Sequence, residues 1–315
     1  MYRIGVDLGG TNIVAGVVDE YYKIVAKAKR KTACPRPAGE ILADIAACVS
    51  EAVKTAGITM DDVRSIGIGT PGSVNKRMGI IEYANNLGFD KVPARDILLK
   101  YFDKPIYLEN DANCAALGEA VAGAGGNVEN FVAITLGTGV GSGIIVNGKI
   151  VNGCNDAAGE MGHSVLVVDG EPCTCGRKGC WEAYSSATAL VRQTKAAMEE
   201  NKASLMWKVV DGDITKVNGR TAFDGMRKGD TAAKQVVDTY IKYLAAGVTN
   251  VVNVFQPDVL CIGGGIGCEG EPLLAPLRTY VEKERYSIHC GKQTQICSAV
   301  LGNDAGVIGA ALLDE

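Results

Sequence analysis

Two short apolar runs open the chain. Ile4 and Val6 lead into Asp7, Gly9 and Gly10 interrupt, and a β-rich run from Ile13 to Val18 closes on Asp19 and Glu20. The pattern predicts a strand, a glycine turn and a second strand. In KAKRK, residues 27 to 31, basic and apolar positions alternate, as on the solvated face of a strand. The opening arrangement returns from Phe131 to Gly148. Val132 and Ile134 stand where Ile4 and Val6 stood, Leu136 and Gly137 where Leu8 and Gly9 did, and Ile145 and Val146 where Val17 and Val18 did; KIV follows both copies. We read an internal duplication of one β-meander unit.

Each glycine turn taken alone is explained by a tight hairpin. As a pair they offer two sets of backbone amides unhindered by side chains, which suits a phosphate chain, and the Asp7 carboxylate could hold hydrated Mg²⁺ beside it. A third cluster follows the fully apolar run Val259 to Ile262, the pattern of a buried parallel strand; Gly263, Gly264 and Gly265 there permit close approach of another backbone or a flat ligand. None of the clusters fits a Walker A loop, and neither the first nor the third has the GxGxxG spacing of a dinucleotide fold.

From Ile106 to Ala120 a short strand enters an alanine-rich helix, with Asn110 and Asp111 at the junction. Asp111 could simply cap that helix. Yet Glu109, Asn110 and Asp111 gather three polar groups at the carboxyl end of a strand, where open α/β sheets bind ligands. Further along, residues 185 to 244 read as mostly helical, and Gly302 to Leu313 as a closing helix.

Composition narrows the classes. Over 315 residues, 47% hydrophobic and 22% charged side chains with a net charge of −4 describe a globular protein rather than a disordered one. With no basic run beyond KAKRK, nucleic acid is not an expected partner. No stretch reaches membrane-spanning length and no signal-like segment opens the chain, so a cytoplasmic location without membrane contact is expected. The 11 cysteines are then reduced thiols, and eight that sit singly, Cys48, Cys114 and Cys261 among them, are expected to be small core residues.

DLGGTN, ENDANCAALGE, LGTGVG, GEMGH, CTCGRKGCWE and GGGI occur in an order that resembles the ROK family of sugar kinases, within the actin-like, hexokinase-like ATPases. The resemblance runs from residue 1 to the final helix. It implies an α/β, two-lobed actin-like/ribonuclease H-like ATPase fold, with the nucleotide in the interlobe cleft and the sugar near its floor. The smaller lobe is expected over 1–115, with the helix at about 302–315 returning to it, and the larger lobe over 116–301.

Residue by residue, the resemblance makes Asp111 the catalytic base and a sugar neighbour, with Asn110, Glu160, His163 and Glu182 binding sugar hydroxyls and Gly72 and Asn86 close by. Asp7, Gly9, Gly10, Thr11 and Asn12 match the first phosphate segment, Gly137, Thr138 and Gly139 the second, and Gly264 and Gly265 the adenosine segment. The chemistry agrees, since a sugar hydroxyl is a poor nucleophile that needs alignment and a proton acceptor. The implied reaction is ATP-dependent phosphorylation of a hexose, glucose first. N-acetylmannosamine, allose and fructose remain open as substrates, and polyphosphate as donor. Two other classes stay in view: a sugar-responsive regulator, although the helix-turn-helix of such regulators would precede a first strand that here begins at residue 3, and a shape-changing ATPase that would leave the cysteine motif without a role. A homodimer or homotetramer is expected from the resemblance alone.

Cys173, Cys175 and Cys180 can converge on one ion, and His163 can supply a fourth ligand. Three thiolates and an imidazole make a closed, structural zinc site. The alternative is a redox pair and one buried thiol. Zinc would fasten together the segments bearing Glu160 and Glu182, and the ring nitrogen of His163 not bound to it could face a sugar hydroxyl.

Overall fold

A computed structural model describes residues 1 to 314; residue 315, the last of the expected returning helix, lies outside the described residues. The chain divides into two compact units. One comprises Met1–Ala133, Gly143–Gly159 and the terminal segment from Val300, and the other Ile134–Ser142 and Glu160–Ala299.

The opening pattern is realised as β1 (Tyr2–Leu8), β2 (Asn12–Val18) and β3 (Ile24–Lys31), an antiparallel meander. In β3 Ala26 and Ala28 are buried while Lys27, Lys29 and Lys31 face solvent. Next come β4 (Val63–Thr70), a small antiparallel sheet of β5 (Ser73–Asn75), β6 (Ile80–Ala84) and β7 (Phe89–Val92), and β8 (Ile106–Asn110). β4 pairs parallel with both β1 and β8, so the first large sheet runs β3-β2-β1-β4-β8.

The second copy consists of β9 (Phe131–Leu136), β10 (Val140–Val146) and β11 (Lys149–Ile150), followed by β12 (Val259–Gly263) and β13 (Gln295–Ser298). Its order, β11-β10-β9-β12-β13, repeats the first sheet strand for strand, with β12 and β13 again parallel. The duplication seen in the sequence is therefore a duplication of topology.

Helices cover these sheets where the 3.6-residue period places apolar side chains on one face. Ala38–Thr55 buries Ile41, Leu42, Ile45, Cys48, Val49 and Ala52 and packs on β2 and β3. The region expected to be helical holds Ala187–Glu200, Thr221–Arg227 and Thr231–Phe255; the last runs past Leu244 because Val248, Val251 and Val252 continue its buried stripe. The chain closes with a 3₁₀ turn, Gly302–Asp304, and the helix Ala305–Ala311, which lies on β1, β4 and the helix Asp111–Ala122. Cys48, Cys114 and Cys261 are buried as expected, but Cys154, Cys268 and Cys290 are exposed. Residues 154, 268 and 290 fall outside the strands and the long helices, so their small size does not bring them into a core.

Candidate active site

In the first unit the end of β8 carries the polar cluster. Asn110, not Asp111, is the N-cap: its Oδ1 accepts from the amides of Ala112 at 2.9 Å and Asn113 at 3.2 Å. Asp111 is the first residue of the helix, and its carboxylate takes the Ala112 amide at 2.8 Å. Burial raises the Asp111 pKa, and hydrogen bonds from the Ala112 amide and the Asn110 side chain hold part of the rise back. Asn110 also donates through Nδ2 to the carbonyl of Gly72 at 3.1 Å. Gly72 has a φ of +86°, and a Cβ there would lie 2.0 Å from the Tyr83 carbonyl oxygen, so only glycine fits.

Asp7, on β1, lies near enough to Asp111 for their charges to interact. Burial first, and then the Asp111 charge, push its carboxyl up to about 6. A buried hard carboxylate whose ionisation a neighbouring carboxylate opposes is a donor that fits Mg²⁺, directly or through water. The turn after β1 closes with Gly9 N–H donating to the Asn12 carbonyl at 2.9 Å, and the Thr32 hydroxyl donates to the Gly9 carbonyl at 2.6 Å. Gly10 and Thr11 are exposed at its tip, and a Cβ on Gly10 would meet Asn86 Cβ at 3.6 Å. Asn86 thus lies beside the tip of the β1–β2 turn.

The second unit holds the matching turn between β9 and β10. Gly137 N–H donates to the Gly139 carbonyl at 3.0 Å, and the start of the helix Ala187–Glu200 anchors the turn: Ala187 N–H donates to the Gly137 carbonyl at 2.8 Å and the Thr188 hydroxyl to the Thr138 carbonyl at 2.8 Å. One Glu182 oxygen accepts from the Val140 amide at 3.0 Å, the other from the Thr174 hydroxyl at 3.3 Å. A Cβ on Gly139 would lie 2.2 Å from that first oxygen, whereas a Cβ on Gly137 would meet nothing within 4 Å. After β12, Gly264 has a packing reason of its own, with a φ of +80° and the Leu136 backbone at 2.5 Å from a Cβ; Gly265 is open.

His163, Cys173, Cys175 and Cys180 do come together, with one ligand atom from each within 4.8 Å of all the others. In a tetrahedron with Zn–S near 2.3 Å and Zn–N near 2.0 Å, the S···S edge is about 3.8 Å and the N···S edge about 3.5 Å. Cys175 and Cys180 are 3.7 Å apart through Sγ, and Cys173 Sγ is 3.6 Å from His163 Nδ1. The donor set and spacing fit zinc, with Nδ1 as the imidazole ligand and Nε2 left over. Glu160 is exposed immediately before the 3₁₀ turn Met161–His163.

Sequence reasoning passed over Lys76 and Thr174. Lys76 Nζ sits 2.6 Å from Glu109, whose side chain is fully buried. Nothing in the local pattern of VNKRMG marks this lysine; the signal is Glu109, a carboxylate in an otherwise apolar strand, which requires a partner from elsewhere.

The comparisons with known proteins point the same way. The glucokinase of Thermotoga maritima is 36% identical over 309 residues, covering 98% of this chain and 95% of that protein. A crystal structure of a ROK family glucokinase from Streptomyces griseus, in complex with glucose and AMPPNP, superposes with a TM-score of 0.82 at 35% identity over 99% of both chains. The xylose repressor of Caldicellulosiruptor bescii is 30% identical over 90% of this chain and 70% of the repressor. The repeated β-meander sheets are thus those of the actin-like ATPase fold. Because the ROK family pattern also matches residues 3–315, taking in both glycine hairpins, the capped strand end and the His/Cys cluster, the chain belongs to the ROK family.

Proposed function

We propose that this protein transfers the γ-phosphoryl group of ATP to the 6-hydroxyl of glucose. The observation that carries the reading is Asp111, a carboxylate at a strand end with Asn110 as the cap beside it and a pKa raised by burial. A raised pKa makes it a better proton acceptor at neutral pH than an ordinary aspartate. As the new O–P bond forms and the bond to the departing ADP breaks, the hydroxyl proton passes to the Asp111 carboxylate. Asn110, Glu160, His163 and Glu182 hold sugar hydroxyls, with Gly72 and Asn86 adjoining. Residues 7 and 9 to 12 in the first unit and Gly137–Gly139 in the second receive the phosphates, and Gly264 and Gly265 the adenosine. Mg²⁺ held by Asp7 through water would supply charge neutralisation on the phosphates.

In this reading the two compact units are the lobes of the kinase. His163, Cys173, Cys175 and Cys180 hold one structural zinc, which keeps the Glu160 and Glu182 segments in register. The enzyme works in the cytoplasm as a homodimer or homotetramer; light scattering after gel filtration checks the assembly. Glucose and ATP are supported by the similarity to glucokinases.

Sugar phosphate formation measured across glucose, N-acetylmannosamine, allose and fructose, with ATP or polyphosphate as donor, tests the substrate. Turnover with glucose and ATP exceeding every other pair is expected. The similarity to a xylose repressor favours a second reading, a sugar-responsive regulator. Sugar binding by calorimetry without sugar phosphate formation from either donor would replace the kinase with that regulator.

A further inference from the structure

Glu109 is the penultimate residue of β8, between Leu108, which is buried, and the Asn110 cap. Its carboxylate is fully enclosed, an arrangement that costs several kcal/mol unless the charge is paired and hydrogen-bonded. One oxygen accepts from the Asn110 backbone amide at 2.8 Å and from Asn113 Nδ2 at 3.0 Å. The other receives Lys76 Nζ at 2.6 Å.

Lys76 is itself held at both ends of its backbone, as an exposed lysine would not need to be. Its amide donates to Asp156 Oδ2 at 3.1 Å, and its carbonyl accepts from Arg95 Nη2 at 2.6 Å. The same Arg95 guanidinium donates to the carbonyls of Arg77 at 3.1 Å and Ile106 at 3.0 Å, tying the β5–β6 turn to the start of β8. Gly79 completes the turn with a φ of +72°, and a Cβ there would collide with the Arg95 side chain. Replacing a buried ion pair by apolar side chains is often neutral or stabilising, so stability alone is a weak reason for this construction. Its other consequence is positional, because every partner of Glu109 except Lys76 lies at the start of the helix that begins with Asp111.

We propose that the Lys76–Glu109 ion pair, braced by Arg95 and Asp156, positions the Asn110–Asp111 junction for phosphoryl transfer. Lys76 and Glu109 are positioning residues in this account; neither touches substrate. The inference rests on Asp111 being the base. Loss of Lys76 leaves an uncompensated carboxylate under the junction, and the chain relieves it by letting water in or by shifting the helix start. A displacement of about 1 Å in a reacting group is enough to cost about a hundredfold in rate.

The test measures kcat, the KM values for glucose and ATP, and thermal melting on the full chain. Lys76→Met is expected to lower kcat by about tenfold or more while the KM for ATP stays within about twofold. The double variant Lys76→Met/Glu109→Gln, in which no buried charge remains, is expected to recover most of the lost kcat. Wild-type kcat in Lys76→Met alongside a lowered melting temperature would make the pair purely structural and overturn the proposal, as would a double variant no faster than the single one. Should Lys76→Met not fold, Asp156→Gly removes the acceptor of the Lys76 amide at a φ of +58° that glycine adopts freely, without stranding a charge; a fall in kcat of about threefold or more at unchanged KM for ATP supports the proposal, and an unchanged kcat overturns it. Asp111→Asn run in parallel separates the two claims. An active Asp111→Asn removes the base, whereas an inactive one beside a fully active Lys76→Met removes only the positioning role.

Discussion

Gly118 stands inside the helix Asp111–Ala122, where helix propensity alone favours alanine by about 1 kcal/mol. Packing argues the other way. A Cβ on Gly118 would lie 2.2 Å from the Ala305 carbonyl oxygen and 3.1 Å from the Gly309 amide nitrogen, both backbone atoms of the closing segment. On the facing helix a Cβ on Gly309 would lie 1.7 Å from the Cys114 carbonyl oxygen, so the two backbones touch with no side chain between them. Ordinary contact begins at 3.4 Å, and Gly118→Ala therefore forces the helices about 1 Å apart. Overpacking of this kind costs about 3 kcal/mol at the upper end of its usual range, and subtracting the gain in propensity leaves a net loss of about 2 kcal/mol. Because the displaced helix begins with Asp111, kcat should fall as well, by about tenfold or more. Thermal unfolding monitored by circular dichroism, with Gly39→Ala as the control, measures the sign. Gly39 lies in the helix Ala38–Thr55, and a Cβ there meets nothing within 4 Å, so that variant should match the wild type or exceed it. A Gly118→Ala protein that melts at or above the wild-type temperature would refute the packing argument.

Asp111→Asn should lower sugar phosphorylation about a hundredfold or more while glucose binding by calorimetry persists, since an amide cannot take the proton. Asp7 is raised from 3.8 to about 6, so its contribution to stability is fully present below about pH 3.8 and lost as the pH rises through about 6. In EDTA, Asp7→Asn should consequently melt above the wild type at pH 8, by an amount worth up to about 3 kcal/mol, and lose that advantage toward pH 4. Gly137→Val, at a position where the protein itself leaves room for a side chain, should weaken nucleotide binding far more than sugar binding in separate titrations. Elemental analysis should find one zinc per chain, absent from Cys175→Ser, whose KM for sugar should rise strongly while that for ATP changes little.

Much of the site is legible along the chain because its signals are local. The strand–glycine–strand pattern from Ile4 to Val18 and its return from Val132 to Val146 depend on a period of two and on glycines that break the apolar runs, although none of Gly9, Gly10, Gly137 and Gly139 has the positive φ a tight hairpin would demand. The His163, Cys173, Cys175 and Cys180 set is likewise a matter of nearby residues of one chemistry, and the structure gathers them. Asp111 was visible as a polar residue at a strand end, but which of two neighbours caps the helix is decided by backbone angles, and the structure gives that task to Asn110. The small sheet β5–β7 left no clear signal, since strands of three to five residues are too short for a periodic pattern to stand out.

Tertiary structure alone decided the rest. The identical strand order of the two sheets needs the parallel pairings of β4 with β1 and of β12 with β13, which join distant segments. Gly5, Gly67 and Gly118 look like scattered small residues until the closing helix, with its own Gly309, is laid against them and the missing side chains become the contact. Lys76 is an unremarkable turn lysine until β8 places a buried carboxylate beneath it. The composition of a segment specifies the geometry of its own backbone, whereas the partner of a buried charge or of a bare backbone is supplied by whatever the fold brings near.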